Sequence, residues 1–340
     1  IDERDFILNV AGRRAGSLFD EEGTLSDFDG VITNPPYFKI NKNSDYARAL
    51  SDVVHGQPNI YSLFLAQAAT CLRAGGEMVA ITPRSFCNGL YFREFRKWLL
   101  GQMSLENVHL FGSRTGTFRE ANVLQESVIT RLKKNPKQST RVIISRTPSR
   151  DFTDLQSQEL DAAKVIDDSC GEMLIYIPET PADAEVVEYA EAWPARFSDI
   201  GLKISTGPVV MFRVREFLAD EPDETTVPLL SAHNVKPFVT RWPVGKKKWP
   251  LAFRNCPESQ KHLVAARNYV LLKRFSSKEE KRRLTAGCLP ANFMEHSVVA
   301  LENHLNYIYH TDRELTVDEM FGVAALFNSD FLRALVRVAM

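Results

Sequence analysis

Asp29-Gly30-Val31-Ile32-Thr33-Asn34-Pro35-Pro36-Tyr37 decides how this chain is read. The first five residues are short and mostly β-branched. They run into two prolines that cannot donate to a ladder, which predicts a buried strand ending in a rigid loop. Asn34 to Tyr37 then stand at the carboxyl end of a strand, where open α/β sheets hold their ligands. An exocyclic amine conjugated to a ring is a poor nucleophile until its hydrogens are held and its lone pair is turned out of the ring plane. The Asn34 carboxamide oxygen and the Pro35 carbonyl can each accept one amine hydrogen, and Pro35-Pro36 locks both acceptors in place. Tyr37 offers a flat face on which an extruded base can stack. Such a transfer needs neither a metal nor a strong base. A rigid structural loop would share the four residues, and the position at a strand end favours the chemical reading.

Working downstream, Asn59 to Arg73 sets Ile60, Leu63, Phe64, Ala68 and Leu72 at helical spacing. This predicts an amphipathic helix stopped by Ala74-Gly75-Gly76. Glu77 to Thr82 reads as a buried strand and Tyr91 to Leu100 as a second helix, and strand-helix alternation implies a parallel sheet. Val108 to Phe111 and Ser127 to Leu132 read as strands, the second antiparallel beside the first, with a polar loop between them. The alternation fades from about Asn135. A catalytic domain is therefore expected over residues 1–150. An α+β region is expected over 151–340, with a strand at Met173 to Ile177 and helices at Asp183 to Tyr189, Lys278 to Leu284 and Val317 to Val338.

With 44% apolar and 25% charged residues, the 340-residue chain has no disorder signature. No apolar run approaches the length of a membrane helix, and no leader is evident, so a cytoplasmic protein is expected. Five cysteines stand singly, without metal-site spacing, so no metal is expected. The net charge of -1 hides an uneven distribution: residues 151–200 carry thirteen acids against two bases, and residues 236–283 fourteen bases against three acids. The second segment interleaves Arg241, Lys246, Lys247, Lys248, Lys273, Arg274, Arg282 and Arg283 with Trp242, Trp249 and Phe275, which suits a phosphate backbone. The alternative is a solvated basic face with the tryptophans packed inward. His233, His296, His304 and His310 read as structural or surface groups.

On these residues the chain resembles the gamma-class, TaqI-like adenine-N6 DNA methyltransferases of type II restriction-modification systems. Asp27 to Tyr37 is similar to the family's fourth motif. The helix, Gly75-Gly76, the next strand and Pro83-Arg84-Ser85-Phe86 are similar to its fifth and sixth. The resemblance implies an α/β fold, a partial Rossmann-like S-adenosylmethionine-dependent methyltransferase fold followed by a target-recognition domain. It further implies S-adenosylmethionine as cofactor and double-stranded DNA as substrate. A cognate restriction endonuclease is a candidate partner, and action as a monomer on DNA is expected. Asp5-Phe6 resembles the pair that holds the cofactor's adenine, and Phe118, after Gly116-Thr117, the aromatic that contacts the flipped base. The family's glycine-rich cofactor loop would precede Asp5, so an internal fragment is expected. Release-factor glutamine methyltransferases share Asn-Pro-Pro-Tyr but end soon after the sheet. An RNA-adenine enzyme and a non-catalytic DNA specificity module remain alternatives.

Overall fold

The computed structural model describes residues 5–8, 10, 27–53, 58–111, 127–135, 137–147, 153–244, 249–275, 284–293 and 295–339. They fall into two compact units, residues 1–191 with 336–340, and residues 192–335.

The first unit is built on a six-stranded sheet. Its strands are β1 (Phe28–Thr33), β2 (Leu72–Pro83), β3 (Met103–Phe111), β4 (Ser127–Lys134), β5 (Arg141–Thr147) and β6 (Gln156–Asp161), in the order β1-β2-β4-β3-β5-β6. β1 and β2 are parallel, with Val31 opposite Met78 and Thr33 opposite Ala80. β4 runs antiparallel to both β2 and β3, β3 pairs parallel with β5, and β5 antiparallel with β6. The sheet is α/β and mixed, parallel where the motif lies. The chain crosses from β1 to β2 through α1 (Asp45–Ala49) and α2 (Ile60–Cys71).

Three local expectations change. α2 is buried nearly all round, including Ser62 and Gln67, so it is a core helix and not an amphipathic one. Gln67 is tolerated there because its amide donates to the Ile7 carbonyl at 3.2 Å. Gly75-Gly76 does not stop the helix, since β2 begins at Leu72 directly after it. Instead the ladder slips between Phe28 and Gly30, and a Cβ on Gly76 would sit 2.9 Å from the Phe28 carbonyl oxygen. Only glycine allows that approach. Finally, β1 is largely exposed, with Ile32 at 90%. Among the described residues it pairs with β2 alone, and a strand at a sheet edge keeps one side open.

The expected boundary at residue 150 falls inside this unit. β6 pairs with β5 over six residues, and α3 (Arg93–Gln102) and α4 (Pro181–Glu191) both belong to the same unit. The lost alternation near Asn135 marks turns between sheet strands, not the end of the sheet.

The second unit is α+β. A four-stranded antiparallel sheet has the order 286–289, 269–273, 305–310, 202–206. A five-stranded sheet has the order 218–219, 252–254, 226–230, 298–301, 263–265. The strand Tyr269–Lys273 is buried on both faces. Val270 and Leu272 pack with Met320, Ala324 and Phe327, while Tyr269 and Leu271 pack with Val299 and Leu301. The helix expected over 317–338 is two helices, α5 (Val317–Asn328) and α6 (Asp330–Ala339), broken at Ser329. Ser329 is extended at ψ 154, and its hydroxyl accepts from the Leu332 N–H at 3.1 Å. That is a helix N-cap. The expected helix over 278–284 lies outside the described residues apart from its last residue.

Candidate active site

Asn34 follows the last residue of β1, and the register sets it level with Ile81 of β2. Pro35 is buried, Asn34 and Pro36 are exposed, and Tyr37 is half-buried. The Tyr37 hydroxyl lies 2.5 Å from Asn34 Oδ1 and 2.8 Å from the Ile81 carbonyl oxygen. One hydroxyl proton therefore has two acceptors. Burial raises the Tyr37 pKa above its usual value, so the hydroxyl stays a donor at neutral pH. An amide oxygen carries two lone pairs, and the Tyr37 contact leaves one of them on Asn34 for an incoming amine.

The ring of Tyr37 is held from below. Tyr61, fully buried, meets it edge-on at 6.0 Å and stacks on Phe92 at 5.4 Å. The Tyr61 hydroxyl is 3.2 Å from Ser85 Oγ, and burial drives its pKa far up, so it too remains neutral. Ser85 belongs to the short turn Arg84–Cys87 that follows β2. The strand ends of β1 and β2 and the first turn of α2 thus meet at one place, the carboxyl edge of a parallel pair. Tyr61 and Ser85 escaped the sequence reading as positioning groups, because helical periodicity does not single out one buried tyrosine from its apolar neighbours.

Asp5 and Phe6 sit at the start of a helical turn. Asp5 Oδ1 accepts from the Leu8 N–H at 2.9 Å, and Oδ2 accepts from the Tyr46 hydroxyl at 2.6 Å. Phe6 is half-buried and stacks on Phe64 at 5.6 Å. Phe64 lies one turn beyond Tyr61 on α2, so a single helix backs both the Asn34 loop and the Asp5-Phe6 pair.

Phe118, Lys246, Lys247, Lys248, Arg282 and Arg283 lie outside the described residues. Arg241 and Arg274 are exposed and Lys273 half-buried. The Trp242 indole donates to the Leu251 carbonyl at 2.8 Å, and Trp249 meets His233 edge-on at 5.0 Å. Both tryptophans are thus engaged within the second unit, whereas Phe275 is 61% exposed. Among the described residues no group of three or more His, Cys, Asp or Glu is placed to hold a metal ion. No helix among them is long and apolar enough to cross a membrane.

Residues 10–118 match the family model described as Eco57I restriction-modification methylase. The chain is 37% identical over 319 residues to the type II methyltransferase M.BsuBI of Bacillus subtilis, covering 93% of this chain and 63% of the relative. It is 33% identical over 305 residues to the type II methyltransferase M.PstI of Providencia stuartii, covering 90% and 60%. The chain thus spans about three fifths of the length of these relatives. Among solved structures, the type IIL restriction-modification enzyme MmeI in complex with DNA aligns with 84% of this chain and 41% of its own, at a TM-score of 0.45 and 10% identity. Residues 10–118 are therefore similar to the Eco57I restriction-modification methylase family, and the chain is similar along nearly its whole length to two type II methyltransferases.

Proposed function

We propose that this chain supplies the amine-clamping and DNA-reading parts of a site-specific DNA adenine-N6 methyltransferase. The observation that carries the reading is the Asn34 carboxamide at the carboxyl end of β1, its oxygen oriented by the Tyr37 hydroxyl at 2.5 Å. A flipped adenine stacks on Tyr37. One N6 hydrogen is accepted by the free lone pair of Asn34 Oδ1 and the other by the Pro35 carbonyl, which turns the nitrogen towards sp3 geometry. Clamped in this way, the N6 lone pair would be aimed at a methyl group that the cofactor would supply, and the surplus N6 proton would leave to water once the transfer is complete. S-adenosylmethionine, when bound, supplies the electrophilic methyl group.

Asp5 and Phe6 fit the adenine end of that cofactor. The carboxylate is exposed yet held by Leu8 and Tyr46, each oxygen keeps a lone pair, and the Phe6 ring is backed by Phe64. Double-stranded DNA as substrate and a cognate restriction endonuclease as partner belong to the same proposal, which the similarity to type II methyltransferases and to a restriction-modification methylase supports.

The test is transfer of tritiated methyl groups to unmethylated duplex DNA by the complete gene product, followed by identification of the labelled base. The expected product is N6-methyladenine. Asn34→Ala should lower the rate by on the order of 10²–10³, the scale of losing one aimed acceptor, with DNA affinity unchanged. Undiminished transfer by that variant overturns the mechanism.

A further inference from the structure

In the second unit, residues 302–304 turn the strand Val298–Leu301 into the strand Leu305–His310. The turn is pinned by the Glu302 N–H on the Leu230 carbonyl, the Asn303 N–H on the Val209 carbonyl and the Leu305 N–H on the Glu302 carbonyl, each at 2.9 Å. Beneath it lies a carboxylate that the proposed chemistry does not use. Glu302 is 1% exposed; one carboxylate oxygen accepts from the His304 N–H at 3.0 Å, and the other is 2.5 Å from His304 Nδ1. Burial pushes the Glu302 carboxyl up, and the contacts to His304 oppose that shift. A carboxylate that deep needs a partner. The partner chosen is an imidazole whose side chain is half exposed, at 49%. With Nδ1 set against that carboxylate, Nε2 is the ring nitrogen left for an outside partner.

The surroundings of His304 are basic and aromatic. Across the strand pair, the Arg274 N–H donates to the His304 carbonyl at 2.9 Å, and the guanidinium donates to the Asn303 carbonyl at 3.2 Å. The same guanidinium lies 5.2 Å from the Phe275 ring centre, and that ring meets His304 edge-on at 5.3 Å. Phe275 is 61% exposed and Lys273 directly precedes Arg274. A cation, an imidazole and an exposed aromatic ring are thus fixed side by side. The acid among them is buried under the ring it orients.

We propose that this surface is a nucleic-acid phosphate site in which His304 Nε2 and the Arg274 guanidinium donate to a backbone phosphodiester while Phe275 covers the adjoining sugar or base. The proposal rests on the DNA reading above and adds to it a contact that the histidine spacing did not suggest. The imidazole then lies between the Glu302 carboxylate and the phosphate. Glu302 is then a positioning residue, acting through His304.

The test is binding of the complete protein to a fluorescently labelled DNA duplex by anisotropy, over a series of salt concentrations. His304→Gln should weaken binding by on the order of tenfold and flatten the slope of log affinity against log salt by about one, the signature of one lost phosphate contact. His304→Arg should restore both affinity and slope. Glu302→Gln, which keeps an acceptor for the backbone, should weaken binding as His304→Gln does, with an unchanged melting curve. Wild-type affinity and slope in His304→Gln overturn the site while leaving the DNA reading intact. Absence of any DNA binding by the wild-type protein at low salt overturns the DNA reading, and the site falls with it.

Discussion

At the scale of the residue, the Tyr37 hydroxyl carries more than a stacking platform would need. Its single proton is shared between Asn34 Oδ1 at 2.5 Å and the Ile81 carbonyl at 2.8 Å, so it ties the clamp to the end of the neighbouring strand. Tyr37→Phe keeps the flat ring and removes the tie. Net loss of one such hydrogen bond is worth about 1 kcal/mol, so the single-turnover methyl-transfer rate should fall by roughly fivefold to tenfold with little change in DNA affinity. Tyr37→Ala, which also removes the ring, should cost markedly more in both. Equal rates for wild type and Tyr37→Phe would show that Asn34 is oriented without the hydroxyl. The Asn34 loop was legible in the sequence because two prolines cannot continue a ladder, and the chemistry proposed for it is read from the residue types. The groups that hold it were not legible. Ile81 is forty-four positions from Tyr37, and Ser85 twenty-four from Tyr61, contacts that the pairing of β1 with β2 and the packing of α2 against the end of β2 create.

At the scale of the element, α5 shows how local signals set a helix start. Thr316 and Glu319 form a reciprocal capping box, with the Glu319 N–H donating to Thr316 Oγ1 at 3.2 Å and the Thr316 N–H to Glu319 Oε2 at 2.9 Å. Thr316→Ala should cost about 1 kcal/mol in thermal unfolding of the second unit. Glu319 is also paired with Arg313, and that hydrogen bond, followed by the one from the Thr316 backbone, lowers its pKa from 4.5 to about 2. A lowered folded-state pKa gives stability that is present above pH 4.5 and lost as pH falls towards 2. The melting temperatures of wild type and Glu319→Gln should therefore differ near neutrality and converge across that window. A difference that does not shrink between pH 4.5 and pH 2 would exclude the ionised pair as its source. The start of this helix was readable from spacing, but its length was not. A run of apolar residues continues past Ser329, and the serine that breaks it is an ordinary helix residue by composition. α2 misled in the opposite direction. The apolar spacing suggested an amphipathic helix, yet its polar Ser62 and Gln67 are buried and each bonds to a backbone carbonyl, Ser62 to Asn59 and Gln67 to Ile7.

At the scale of the molecule, the division into units does not follow the order of the chain, because residues 336–340 belong with residues 1–191. The sheet was foreseeable from strand and helix alternation, but this return was not, since no local pattern marks five residues as part of a unit that ends some 150 positions earlier. The bonds that hold them are specific. Arg84, 6% exposed at the end of β2, donates to the carbonyls of Arg337 at 3.2 Å and Val338 at 2.8 Å. Ile177 donates its N–H to the Val338 carbonyl at 3.1 Å. Arg337 pairs with Asp183, a nearly buried carboxylate in the first turn of α4. A protein ending at Leu335 loses all of these together. The Arg84 cation would lose two acceptors in a place where water reaches poorly, at a cost of about 2–3 kcal/mol, or roughly 5–10 °C in the melting temperature of the first unit. Arg84 immediately precedes Ser85, which bonds Tyr61 under the Asn34 loop. The truncation should therefore lower methyl transfer as well as stability, while Arg337→Ala, which keeps both carbonyls, should lower stability alone. Unchanged melting of the truncated protein would mean that the last five residues are bystanders to the sheet they join.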